Sequence, residues 1–194
     1  MTEERKAEIQ DVVEKVFQQY DITKTPYKFI KVICQNENIS LLPVPNFSDD
    51  IEGWIQNIDG QYDILYNENK IEERQNFTLA HELGHYFLQH LKQGSLIDSE
   101  ESLTKNNDEK ECEANYFASN FLLPKKLVEK EFNSIITFST RLKNVKIPLT
   151  ISQNGYQFSN WTIIHTKLCK KFKVSKEFLC FRLDSLNLIN NLLY

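Results

Sequence analysis

The stretch Phe77-Thr78-Leu79-Ala80-His81-Glu82-Leu83-Gly84-His85 decides how this chain is read. Its apolar positions continue through Phe87, Leu88 and Leu91 at helical spacing, with Phe77, Ala80 and Leu83 on the same buried face. On such a helix His81 and His85 are four residues apart and project from one side. Both imidazoles can therefore reach a single metal ion. Glu82 is turned about 100° from His81, away from direct ligation and toward the water at the ion's open position. A Lewis-acidic metal, a water and a carboxylate base are the parts of a zinc hydrolase. Gly84 costs about 1 kcal/mol against alanine in a helix interior, which predicts something approaching its backbone closely. His90 lies nine residues after His81, half a turn out of phase, and is expected on the opposite, solvated face.

Catalytic zinc takes three protein ligands and keeps a fourth position for water. A second helical segment, Asp108 to Leu122 with Asp108 as its N-cap, supplies candidates and is closed by Pro124. Its apolar stripe is Ala114, Phe117, Ala118, Phe121 and Leu122. Glu113 borders that stripe, and a carboxylate at a buried margin needs a partner, which a metal ion would supply. Glu109 and Glu111 read instead as solvated first-turn acids that favour the helix N-terminus. Cys112 reads as a buried thiol rather than a soft ligand.

The pairing of Phe77-Thr-Leu-Ala-His-Glu-Leu-Gly-His85 with Glu111-Cys-Glu-Ala-Asn-Tyr-Phe-Ala-Ser-Asn-Phe-Leu-Leu-Pro124 resembles the ImmA/IrrE family of zinc metallo-endopeptidases. The first half is shared with many metallopeptidases, and the second half with its spacing singles out this family. The likeness covers residues 28–130. It implies a zinc ion held by His81, His85 and Glu113, with Glu82 as general base. It also implies a partner: family members on mobile elements or in stress operons cleave helix-turn-helix repressors.

Composition sets outer bounds. The chain has 194 residues, 41% of them hydrophobic, enough for a real core. Its start, Met-Thr-Glu-Glu-Arg-Lys, lacks a signal peptide's apolar core, and no apolar run approaches the roughly 20 residues of a membrane span. Cys34, Cys112, Cys169 and Cys180 are scattered without a C-x-x-C pair, which points to reduced thiols in a cytoplasmic setting. A net charge of −4 exerts no global pull on nucleic acid.

The expected fold is α+β, a small sheet followed by a zincin-like helical core carrying H-E-x-x-H and a helical C-terminal region. An amphipathic helix spans 3–20, and strands are expected at 28–34, 39–44, 51–57 and 62–66, with Asp59-Gly60 as a hairpin turn. The strand at 61–66, with Tyr62, Ile64 and Tyr66, is expected to pair with an extended substrate. Residues 92–108 read as a polar loop. Residues 1–133 form the metallopeptidase domain in this reading, 134–159 an inserted strand pair turning at Asn154-Gly155, and 160–194 two helices packed on the same domain. Ser175 is the N-cap of the second of these helices. Their excess of basic residues (Lys167, Lys170, Lys171, Lys173, Lys176, Arg182) suggests DNA, although direct nucleic-acid binding is not the expected role. His165 and Tyr156 are candidates for stabilising the oxyanion that peptide hydrolysis forms.

Together these features favour a zinc endopeptidase with a narrow protein substrate. The competing readings are a DNA-binding regulator with a non-catalytic zinc site and a peptidase-like toxin or anti-defence protein. An intact Glu82 favours the enzyme, because a structural site needs no base beside an open position.

Overall fold

Thr2 opens the first helix, α1 (Glu3–Gln19), by accepting the backbone N–H of Arg5 on its hydroxyl at 3.2 Å. Ile9, Val13 and Val16 of this helix are buried, the i, i+4, i+7 stripe of its sequence. In a computed structural model, residues 1–45, 51–91, 105–140, 149–151 and 158–191 are described, and the chain divides into the units Met1–Leu122 and Leu123–Tyr194.

In the first unit a 3₁₀ turn (Pro26–Phe29) runs into α2 (Ile30–Asn36), where the sequence suggested a strand. Burial explains the outcome. Ile30, Ile33 and Cys34 are inside while Val32 is exposed, so the segment buries a helical stripe rather than alternate residues. The strands β1 (Ile39–Val44), β2 (Gly53–Ile58) and β3 (Gln61–Asn67) form one sheet in the order β1-β3-β2. β3 runs parallel to β1, with Leu41 opposite Ile64, and antiparallel to β2, with Ile55 opposite Ile64. Asp59 and Gly60 join β2 to β3 with φ of 51° and 88°, the two left-handed residues of a type I′ turn.

The helices α3 (Glu72–Phe87) and α4 (Lys105–Leu122) follow, packed on each other, and α4 also lies against α1. Phe87 stacks on Phe117, Phe117 on Phe121, and Phe121 on Phe17 of α1. α4 starts three residues before the expected N-cap at Asp108. The close approach predicted at Gly84 is that of α4: a Cβ there would lie 3.1 Å from Ala114 Cα and carbonyl oxygen and 3.2 Å from Phe117 Cβ. Two backbones and a rigid Cβ cannot yield as a flexible side chain would. Gly84→Val is therefore expected to destabilise the protein by about 1–3 kcal/mol, read as a lowered urea midpoint.

In the second unit α5 (Lys125–Thr140) follows Pro124 directly, so the boundary expected at residue 133 falls inside a helix. α6 (Phe158–Phe172) packs on α5 and on α7 (Lys176–Ser185), around buried Val128, Phe132, Trp161, Ile164, Leu168, Phe172, Leu179 and Leu183. Ser175 caps α7 as expected, accepting the N–H of Phe178 at 3.2 Å. Where an inserted strand pair was expected, the described residues of 134–159 hold one short strand, β4 (Leu149–Ile151), whose partner is the distant β5 (Ile189–Asn191), in parallel. Asn154 and Gly155 lie outside the described residues, as do 92–104 of the expected loop. The fold is α+β, with seven α-helices among the described residues. None of them is long and apolar enough to cross a membrane.

Candidate metal centre

His81 and His85 emerge side by side from α3, and their Nε2 atoms face each other at 3.0 Å. Glu111 of α4 closes the group, with Oε2 3.0 Å from His81 Nε2 and Oε1 3.3 Å from His85 Nε2. These are the residues among those described whose donor atoms gather within 4.8 Å, as a metal ion requires. The carboxylate that gathers with the two histidines is thus Glu111, not Glu113, where the third ligand was expected. The reason lies in helix phase. Glu111 is in phase with Ala114 and Asn115 one turn on and Ala118 two turns on, the α4 face against α3. Glu113 instead shares a face with Tyr116, and that face meets α1: Tyr116 Oη accepts from Gln10 at 2.6 Å. Two residues along a helix are about 200° apart, so one carboxylate cannot stand in for the other.

Glu113 has a different set of partners. Arg5 of α1 grips it with two N–H groups, at 2.9 Å and 2.7 Å, and His90 Nε2 lies 3.0 Å from its Oε2. His90 is thus not the solvated histidine expected on the far face; its side chain is only 6% exposed. The helical period stops applying before it. α3 ends at Phe87, Gln89 takes a left-handed φ of 57°, and His90 N–H reaches back to the His85 carbonyl at 3.0 Å. That reversal folds the His90 ring onto His85, with Nδ1 facing Nδ1 at 3.1 Å. Cys112, expected inside, is exposed.

Hydrogen-bond partners define which ring nitrogens are free. His81 Nδ1 lies 3.0 Å from Asn115 Oδ1, an atom that only accepts, so Nδ1 carries the proton and Nε2 the lone pair. His90 Nε2 donates to the Glu113 carboxylate, which leaves its Nδ1 to accept from His85 Nδ1–H. The Nε2 lone pair of His85 then faces that of His81. Two lone pairs and a carboxylate converging on one space call for a cation, and the donor set suits a divalent metal. Where only a proton serves, His81 feels it. Burial works against its imidazolium, but hydrogen bonding to Glu111 and the charges of Glu82 and Glu111 outweigh burial and raise its pKa. The two histidine rings beside it hold Glu111 well below the usual carboxylate range, outweighing its own desolvation.

Glu82 is buried, 6% exposed. Desolvation raises its pKa, opposed by the neighbouring His81 and His85 and by a backbone hydrogen bond from Ile55 of β2. β2 is brought this close because Gly53 has no side chain: a Cβ there would sit 2.6 Å from a Thr78 methyl of α3. The outer strand beside Glu82 is consequently β2. Tyr62, Ile64 and Tyr66, expected to receive substrate, belong to β3, the middle strand, whose backbone is already paired on both sides. Ile64 is fully buried, and Tyr62 packs edge-on against Tyr86 at 4.9 Å. Strand addition needs a free edge, which β3 lacks. Of the oxyanion candidates, His165 lies in the second unit against Trp161, and Tyr156 falls outside the described residues.

With this geometry in place, comparison with known proteins gives a consistent answer. The family model of Peptidase M78, the IrrE N-terminal-like domain, matches residues 11–184. The chain belongs to this family. The metallopeptidase-like domain thus spans both units, and the resemblance carried by His81–His85 and Glu111–Pro124 is borne out. Among curated proteins, none matches. A solved Mycobacterium tuberculosis transcriptional regulator is similar in fold, with a TM-score of 0.59 at 15% identity over 92% of this chain. The match takes in 46% of that protein, so this M78 chain spans about half its length.

Proposed function

We propose that this M78 domain is a zinc-dependent endopeptidase that cleaves a specific intracellular protein, a helix-turn-helix repressor. The observation that carries the reading is the convergence of two imidazole lone pairs and the Glu111 carboxylate, with buried Glu82 alongside. Zinc held by His81, His85 and Glu111 would supply a Lewis acid that lowers the pKa of water toward about 7 and polarises a peptide carbonyl. Glu82, one residue beyond His81 and turned off the ligand face, accepts the attacking water's proton and hands it to the departing amine. The Ile55 N–H bonds that buried carboxylate and orients it.

A substrate segment adding a strand would lie along the outer edge of β2 rather than on β3, because β2 borders the sheet and touches Glu82. Backbone pairing of this kind is indifferent to side chains, so selection of a repressor depends on contacts beyond the cleft. Direct DNA contact has weaker support. Arg182 is buried and donates to the Leu123 carbonyl at 2.9 Å, and Lys171 pairs with Glu131 at 2.7 Å. Arg182 is therefore engaged in the interior and Lys171 in an ion pair within the same unit.

Co-incubation of the zinc-loaded chain with the repressor encoded beside it, and with casein as control, tests the proposal. Scission of the repressor at one or a few bonds, with casein spared, is the expected result. Digestion of both, or an intact repressor together with tight DNA binding by this chain, would support the competing readings.

A further inference from the structure

Outside the three converging ligand groups runs a continuous chain of hydrogen bonds drawn from three helical segments. Arg5 of α1 holds both oxygens of Glu113 on α4, Glu113 accepts from His90 Nε2, and His90 Nδ1 meets His85 Nδ1. His90 is itself pinned, its carbonyl accepting from Lys110 Nζ at 3.1 Å and its N–H bonded to the His85 carbonyl. Every link has a defined polarity. A guanidinium can only donate, so Glu113 is held as a carboxylate; a carboxylate can only accept, so His90 presents Nε2–H to it. His90 Nδ1 is then an acceptor and dictates that His85 carries its proton on Nδ1.

We propose that Glu113 and His90 are positioning residues that lock His85 in the Nδ1–H tautomer, with Arg5 as their anchor, so that its Nε2 is always available to a metal ion. His90 does not serve as a ligand itself: it lies on the Nδ1 side of the His85 ring, whereas His81 and Glu111 lie on the Nε2 side. The device has a clear physical purpose. A free imidazole populates both neutral tautomers, and the form protonated on Nε2 cannot bind a metal through that atom. Outer hydrogen bonds of this kind change metal affinity by about 10–100-fold. The two glutamates of Glu111-Cys112-Glu113 thus divide the work, one toward the ion and one toward the far side of a ligand.

This inference rests on the zinc reading for its purpose, but its central claim concerns the ring itself and can be measured without metal. Two variants of the full chain test it: His90→Phe, which keeps a ring and removes the acceptor, and His90→Asn, whose amide oxygen can take the place of Nδ1. Long-range ¹H–¹⁵N spectra of the metal-free proteins, at alkaline pH where imidazoles are neutral, report the His85 tautomer. Zinc affinity is measured by competition with a chromophoric chelator, and circular dichroism with thermal unfolding checks the fold. The expected result is a pure Nδ1–H form in the wild type, a mixture in His90→Phe with affinity lowered about 10–100-fold, and recovery of both in His90→Asn. An unchanged tautomer in a folded His90→Phe would overturn the proposal, as would an affinity loss that His90→Asn shares. If His90→Phe fails to fold, Glu113→Ala is read in its place by the same spectra. A wild-type protein that shows the locked tautomer and binds no zinc would remove the metal reading and leave the lock standing.

Discussion

Glu82→Gln is expected to keep the fold and the metal and to lose hydrolysis by about 10²–10⁴-fold, the usual contribution of a general base. The substitution is nearly isosteric, and an amide can still accept the Ile55 N–H that orients the native carboxylate. It cannot take a proton from water. The environment makes the change mild for stability: the group is buried, and desolvation already disfavours its charged form, so a neutral replacement relieves a cost. Cleavage of the substrate is followed with zinc content and thermal midpoint measured on the same samples. Turnover equal to wild type would remove Glu82 from the chemistry.

The second large effect separates two glutamates two residues apart. Glu111→Ala is expected to lose zinc more severely than Glu113→Ala. The first removes a carboxylate 3.0 Å and 3.3 Å from the two ligand nitrogens. The second removes the partner of Arg5 and His90, on the other side of the His85 ring, and costs about 10–100-fold in affinity. Chelator competition gives the order, and X-ray absorption of the loaded proteins gives the ligand set. Retention of full affinity in Glu111→Ala, with its loss in Glu113→Ala, would return the third position to Glu113. Stability should move the opposite way. Glu113→Ala takes two hydrogen bonds from Arg5, which is left with Glu8, whereas the Glu111 ion pairs among the described residues are with the two imidazoles.

Where sequence reasoning held and where it failed follows one physical line. Local spacing sufficed wherever one helix or one turn carried the information. His81 and His85 on a shared face, Glu82 beside them, Ser175 as a cap and the left-handed pair Asp59-Gly60 all depend on neighbours within four residues. The family, too, was legible, because its two motifs sit on two such helices. Helix 30–36 was misread because a short segment with apolar Phe29, Ile30, Val32, Ile33 and Cys34 serves a strand or a helix equally well, and only the neighbours that bury Ile30, Ile33 and Cys34 decide.

Which glutamate joins the two histidines, where His90 lies and which strand is outermost were decided by tertiary structure. Glu111 and Glu113 are equally acidic and lie on one helix; which of them meets His81 depends on how α4 rotates against α3. That rotation is set by Gly84 seating on Ala114 and by α1 claiming Glu113 through Arg5. Spacing did hold a usable clue, since Glu111 is in phase with Ala114, Asn115 and Ala118. His90 escaped because a helical period cannot be carried past a helix end, and the left-handed Gln89 turned it inward. Strand order is likewise invisible to periodicity: β3 pairs with both β1 and β2, and long-range pairing alone puts β2, not β3, at the border beside Glu82. The residue types that make a metal site were written locally, and the choice among chemically equivalent candidates was made by packing between helices far apart in the chain.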